Sequence, residues 1–178
     1  MIIAIEGADG SGKSTVFNQL NRIFHGAEFI QFRGTPKEYI DNIDVLEPLM
    51  FSLFEQMYDP AKVYICDRFF GVSSRVYARM RMSISPLERD GLDAWTMPEM
   101  HVICLDQRVE SMWIRRLSQD ENYDRQLRET YKAIMKEINP ASLHIVDTEP
   151  GIAKTVHHVV RIVEGIIGQH LHRHQDEG

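Results

Sequence analysis

Gly7-Ala8-Asp9-Gly10-Ser11-Gly12-Lys13-Ser14-Thr15 carries the spacing G-x-x-x-x-G-K-[ST]. Glycines at these places let successive backbone N–H groups turn inward around phosphates, and the helix that follows presents its positive end to them. Lys13 is then placed to reach the β- and γ-phosphates of a bound nucleotide, and the Ser14 hydroxyl to ligate magnesium. ATP and Mg2+ are the cofactors this spacing predicts. A second group with chemical capacity is Asp67-Arg68-Phe69, followed by Ser73, Ser74 and Tyr77. A carboxylate beside a magnesium nucleotide can hold metal-bound water or accept a proton, and an adjacent guanidinium offers a fork to a second phosphate. Arg33 is a third candidate, also suited to a phosphate.

These residues need elements to hold them. Ile2 to Glu6 reads as a strand feeding a helix over Lys13 to about His25, with Val16, Leu20, Ile23 and Phe24 on one face. Further strands are predicted over Glu28 to Phe32, Lys62 to Cys66, His101 to Leu105 and Leu143 to Val146. Helices are predicted over Leu46 to Tyr58, Ser73 to Met82, Pro86 to Trp95, Val109 to Leu117, Asp124 to Ile138 and Ile152 to about Gly168. Short apolar strands between amphipathic helices predict an α/β fold with a five-stranded parallel sheet covered on both faces. Ligands bind such sheets beyond the carboxyl ends of the strands. That rule aligns the Gly7 loop, Arg33, Asp67-Arg68, Asp106 and Asp147-Thr148, and puts Thr148 on the donor side.

The 178 residues read as a single domain, with no internal repeat or linker. A hydrophobic share of 43% and a charged share of 26% are those of a globular chain. The formal charge of −6 argues against a non-specific grip on nucleic acid, so small-molecule nucleotides are the expected partners. Cys66 and Cys104 each lie in an apolar run and read as small core residues. No basic-then-apolar leader precedes the first strand and no apolar run is long enough to cross a bilayer. A cytoplasmic protein with no membrane partner is therefore expected. His170-Leu171-His172-Arg173-His174 lacks carboxylate or thiol partners and reads as a fraying end. A GTPase switch would need a guanine-reading N-K-x-D, and the chain has none.

Ile5-Glu6-Gly7-Ala8-Asp9-Gly10-Ser11-Gly12-Lys13-Ser14-Thr15 resembles the opening of the thymidylate kinases. Cys66-Asp67-Arg68-Phe69 resembles their second signature, and Pro98 to Asp106 their proline-led fourth strand. The related deoxynucleoside kinases share the fold. The resemblance implies a P-loop NTPase fold with a short lid over about 115–124, and a homodimer. It also implies that Asp9 bonds the acceptor sugar, that Ser73, Ser74 and Tyr77 line the acceptor pocket, and that Arg115 and Arg116 act from the lid. Thymidylate kinases carry an arginine in the helix before the Asp-Arg signature; Leu49 to Gln56 holds none. Gln56 stands ready there to read a base edge by its amide, as a glutamine does in deoxynucleoside kinases.

The reaction so implied moves the γ-phosphoryl of ATP to a deoxynucleoside monophosphate, thymidylate or a related pyrimidine nucleotide. Lys13, Asp67, Arg68, Arg115 and Arg116 are the expected catalytic group, with Ser14 and Asp67 on the metal. Asp9, Arg33 and Arg68 would hold the acceptor. The alternative is a deoxynucleoside kinase acting on a 5′-hydroxyl, with Asp67 as its base.

Overall fold

The computed structural model describes residues 1–31, 43–89, 100–108, 120–138 and 140–176. In chain order these form β1 (Ile2–Glu6), α1 (Lys13–Ile23), β2 (Glu28–Gln31), α2 (Ile43–Met57), β3 (Tyr64–Asp67) and α3 (Phe70–Met80). There follow a single turn α4 (Pro86–Arg89), β4 (Met100–Asp106), α5 (Glu121–Glu137), β5 (Ser142–Asp147) and α6 (Ile152–Asp176). The strands make one sheet in the order β2-β3-β1-β4-β5, every pair parallel. The chain reverses direction of travel across the sheet on either side of β1. The crevice at that reversal is where an open α/β sheet takes its ligand.

β1 has to be apolar on both faces because it sits at the centre. Ile2 and Ala4 point into a core shared with Phe51 and Phe54 of α2, Val72 and Val76 of α3, and Leu127, Tyr131 and Ile134 of α5. Ile3 and Ile5 point into a second core with Val16, Phe17 and Leu20 of α1 and Val159, Val163 and Ile166 of α6. Alternate residues thus bury against opposite helical layers, as the strand's two-residue period requires. Cys66 and Cys104 are free thiols inside the first core. Burial pushes both thiols above their ordinary range, to about 12 for Cys104.

Several boundaries differ from the sequence reading, each for a local reason. α1 stops at Ile23, where Phe24 leaves helical geometry while its N–H still bonds the Leu20 carbonyl. α2 begins three residues early and runs through Pro48, giving up one backbone bond near its start. Its buried Phe54 packs edge-on against Tyr64, Phe69 and Phe70, which holds the helix to β3 and α3. α3 starts at Phe70 rather than Ser73, since burying Phe69 and Phe70 brings the turn straight into helix. α5 starts at Glu121, capped by Asp120, whose carboxylate accepts from the Asn122 N–H at 2.9 Å. The stretch expected as a lid, about 115–124, therefore overlaps the start of a helix at Glu121.

The fraying tail is also corrected. α6 continues to Asp176 and buries His170, because Val159, Val163 and Ile166 extend its apolar face. Phe32, Arg33, residues 90–99 (the rest of the predicted helix Pro86 to Trp95) and the predicted helix Val109 to Leu117 lie outside the described residues. Among the described residues, no helix is long and apolar enough to cross a membrane, and no histidine–cysteine–carboxylate group could hold a metal.

Candidate active site

The loop after β1 can be built only from glycine at its first position. Gly7 has φ of 136°, and a Cβ there would lie 2.5 Å from the Leu105 carbonyl oxygen and 3.0 Å from Ser11 Oγ. Gly10 and Gly12 also take positive φ, 80° and 92°, and Gly12 opens α1 in the left-handed region. No side chain caps that end of α1, so its first N–H groups face the loop. Ser11 is fully buried, and its hydroxyl has no partner among the described residues. Lys13 is buried as well, with Nζ donating to the Ala8 carbonyl at 2.7 Å. Burial, then the nearby Arg68, lowers its pKa to about 8. A buried ammonium, a helix N-terminus with no side-chain cap and a spare buried hydroxyl form an anion cradle. Thr15 and Ser14 are exposed at its rim.

Asp67 ends β3 beside this loop because β3 pairs in register with β1, Ile5 opposite Asp67. Ser14 Oγ donates to Asp67 Oδ2 at 3.3 Å, and Gln31 Nε2 of β2 donates to the same oxygen at 3.0 Å. A hydroxyl and a carboxylate converging this closely are hard oxygen donors of the kind Mg2+ takes. The residues present fit that ion, with Ser14 and Asp67 as its protein ligands and Gln31 steadying the carboxylate.

Arg68 follows with φ of 68°, a left-handed conformation uncommon for a residue with a side chain. That backbone turn sends the guanidinium back over the P-loop. There Nη1 donates to Tyr131 Oη at 2.8 Å and Nη2 to Asp9 Oδ1. Its carbon sits 5.3 Å from the centre of the Tyr77 ring, whose hydroxyl also donates to Asp9 Oδ1, at 3.3 Å. Burial alone would lower the guanidinium's pKa; Tyr131, Tyr77, Glu6 and Asp9 outweigh it and hold the group charged.

Beneath this turn lies Glu6, completely buried. Its carboxylate accepts from the Phe69 N–H at 2.6 Å, from Ser73 Oγ at 2.9 Å and from Tyr131 Oη at 3.4 Å. Burial raises its pKa to about 7, against the opposing pull of Arg68 and the Phe69 hydrogen bond.

The structure gathers Lys13, Ser14, Asp67, Arg68, Asp9 and Tyr77 into one crevice. It uses other candidates differently. Ser73 faces inward to Glu6 rather than toward a ligand. Ser74 is its neighbour with a buried hydroxyl that has no partner among the described residues. Gln56 is exposed on α2, on the side away from the buried Phe51 and Phe54, so it does not reach the crevice. Thr148 is buried at the end of β5, where its N–H and hydroxyl both donate to the Asp106 carbonyl, so it shapes the strand ends. Arg33, Arg115 and Arg116 lie outside the described residues. Glu6, Gln31 and Tyr131 are not among the site residues expected from the sequence. Only Glu6 left a signal there, as a carboxylate closing an otherwise apolar central strand. A cleft of about 250 Å³ adjoins the crevice on the α5 side, between Gly7, Ala8, Tyr131 and the β4–β5 face.

No family model matches the chain, and no curated protein does. Solved structures do. The YorR protein of Bacillus subtilis, determined in complex with phosphorylated GDP, superposes with a TM-score of 0.68 at 21% identity, covering 92% of this chain and 96% of its own. Deoxyadenosine kinase from M. mycoides with bound dCTP gives 0.62 at 18% identity, over 93% and 100% of the two chains. Thymidylate kinase from Ehrlichia chaffeensis gives 0.62 at 18% identity, over 92% and 98%. With near-complete coverage of both chains in each case, the chain has the P-loop kinase fold shared by thymidylate kinase and deoxyadenosine kinase.

Proposed function

We propose that the protein is an ATP-dependent kinase that phosphorylates a deoxynucleoside monophosphate, thymidylate or a related pyrimidine nucleotide, to the diphosphate. The observation that carries this reading is the Asp9–Arg68–Tyr77 cluster beside the phosphate cradle. A guanidinium held charged in a partly buried crevice asks for an anion, and a carboxylate next to it asks for hydroxyl donors. A sugar phosphate supplies both.

In this mechanism Lys13 and the loop N–H groups bind the donor phosphates and offset the charge that builds on them during transfer. Bound Mg2+ would neutralise charge on the donor phosphates, with Ser14 and Asp67 as the residues that hold it. Arg68 orients the acceptor phosphate and Asp9 the sugar, so that most of the rate comes from positioning. A lid bearing Arg115 and Arg116 belongs to the same proposal, as do a homodimer and a cytoplasmic location.

The deoxynucleoside kinase reading keeps one specific support. The deoxyadenosine kinase superposes as well as the thymidylate kinase does. Transfer of labelled phosphate from ATP to a panel of deoxynucleosides and their monophosphates separates the two. Label on monophosphates establishes the first reading; label on nucleosides alone overturns it.

A further inference from the structure

Arg68 is asked to do two incompatible things. It is paired to Asp9, yet the proposed reaction needs Asp9 on the acceptor sugar and Arg68 on the acceptor phosphate. When that pair opens, an inward-folded guanidinium with a left-handed backbone needs something else to hold its direction and balance its charge. Among the described residues, one fully buried carboxylate is hydrogen-bonded to the turn from beneath. Glu6 accepts from the N–H of Phe69, the residue after Arg68, and from Ser73 one helical turn on. Through Tyr131 it also reaches the guanidinium, Glu6 to Tyr131 Oη at 3.4 Å and Tyr131 Oη to Arg68 Nη1 at 2.8 Å. β1, the β3–α3 turn and α5 are thereby tied at one point, across 63 and 125 positions of sequence.

We propose that Glu6 is a positioning residue for the acceptor site, holding Arg68 through the Phe69 N–H and the Tyr131 hydroxyl so that Asp9 can leave Arg68 for the substrate. This role rests on the reading of the acceptor as a nucleotide bound by Arg68.

The arrangement has features a purely structural carboxylate does not need. Glu6 is completely buried, and burying a charge is costly. A raised pKa for Glu6 agrees with that cost. What the carboxylate supplies in return is three acceptor contacts, two to the turn and its helix and one to the tyrosine that holds the guanidinium. The charged or titratable groups facing it are Arg68, Lys13, Tyr131 and the thiols of Cys66 and Cys104.

The test uses Glu6→Gln, which keeps the shape and one acceptor oxygen, and Tyr131→Phe, which removes only the relay hydroxyl. Wild-type turnover on the monophosphate panel comes first; its absence rejects the kinase reading and the acceptor-site role with it, whereas turnover with the variants behaving as wild type rejects the Glu6 role alone. Two measurements then address the role itself. In steady-state kinetics, Glu6→Gln is expected to raise the acceptor KM at least ~10-fold and Tyr131→Phe about 3-fold, with the ATP KM within ~2-fold for both. In a substrate-free measurement, phenylglyoxal labelling read by peptide mapping should modify Arg68 at least ~5-fold faster in both variants than in wild type. Should Glu6→Gln fail to fold, Tyr131→Phe carries both measurements. Unchanged Arg68 labelling in a folded variant overturns the proposal. So does an equal rise in the two KM values, which marks Glu6 as a support of the fold alone.

Discussion

At the scale of single residues, Lys13 and Asp9 carry much of the chemistry, and Lys13 is displaced from its ordinary ionisation. Lys13 has a folded pKa lowered to about 8 by burial and by Arg68. The folded state therefore binds fewer protons than the unfolded chain between about 8 and 10.5, and stability without nucleotide should rise across that window. Donor phosphates restore the charge, so binding ATP takes up a proton. Donor affinity is expected to fall by up to ~10-fold per pH unit above about 8, measured by calorimetry in buffers of differing ionisation heat. Lys13→Ala should abolish both transfer and that pH dependence while leaving the thermal transition in place; an unchanged pH slope would assign the proton elsewhere. Asp9 yields a different expectation. Asp9→Ala should raise the acceptor KM far more than the ATP KM, by roughly 10- to 100-fold, the worth of a lost charge-assisted hydrogen bond of about 1.5–3 kcal/mol. Movement of the ATP KM alone would put Asp9 on the donor side.

At the scale of elements, the site depends on how strands end. β1 and β3 run in register, so Glu6 and Asp67 leave the sheet at nearly the same height, and the loops that follow face each other across the crevice. Gly7 is where the margin is smallest. A methyl group there meets the Leu105 carbonyl at 2.5 Å, and φ of 136° is closed to side chains. Gly7→Ala should cost about 3 kcal/mol or more, from backbone strain and overpacking together. Denaturant melts would show this as a lower midpoint at constant slope, and a midpoint like that of wild type would mean the loop can relax. The cap of α5 is a milder case. Asp120→Ala removes one hydrogen bond to the Asn122 N–H at an exposed helix start. The expected loss is about 1 kcal/mol, with acceptor kinetics unchanged because Tyr131 lies three turns further along.

At the scale of the whole molecule, the question is which acceptor the assembled crevice prefers. Arg68 is surrounded by Asp9, Tyr77 and Tyr131, and a neutral nucleoside that drew Asp9 away would leave its charge without an external partner. A monophosphate supplies that partner. Monophosphates should therefore exceed their nucleosides by at least ~100-fold in kcat/KM, about 2.7 kcal/mol of discrimination. Arg68→Met should erase most of the preference with ATP binding little changed. Comparable rates on a nucleoside and its monophosphate would promote the nucleoside kinase.

The sequence alone determined the phosphate cradle, the five strands and the order of elements. Those follow from local constraints: glycine where φ must be positive and apolar runs where a central strand is buried on both faces. It also placed Asp67, Arg68 and Tyr77 on one strand–turn–helix unit, since they are close along the chain. Only the tertiary structure decided which side chains meet. Gln31 reaches Asp67 because β2 lies beside β3, and Tyr131 reaches Arg68 because α5 packs on α3. Ser73 is taken by Glu6, and Gln56 is turned to the outer face of α2. Each of these is a contact between residues distant in sequence, set by sheet order and helix rotation. A pattern of types and spacings along one chain carries no record of either.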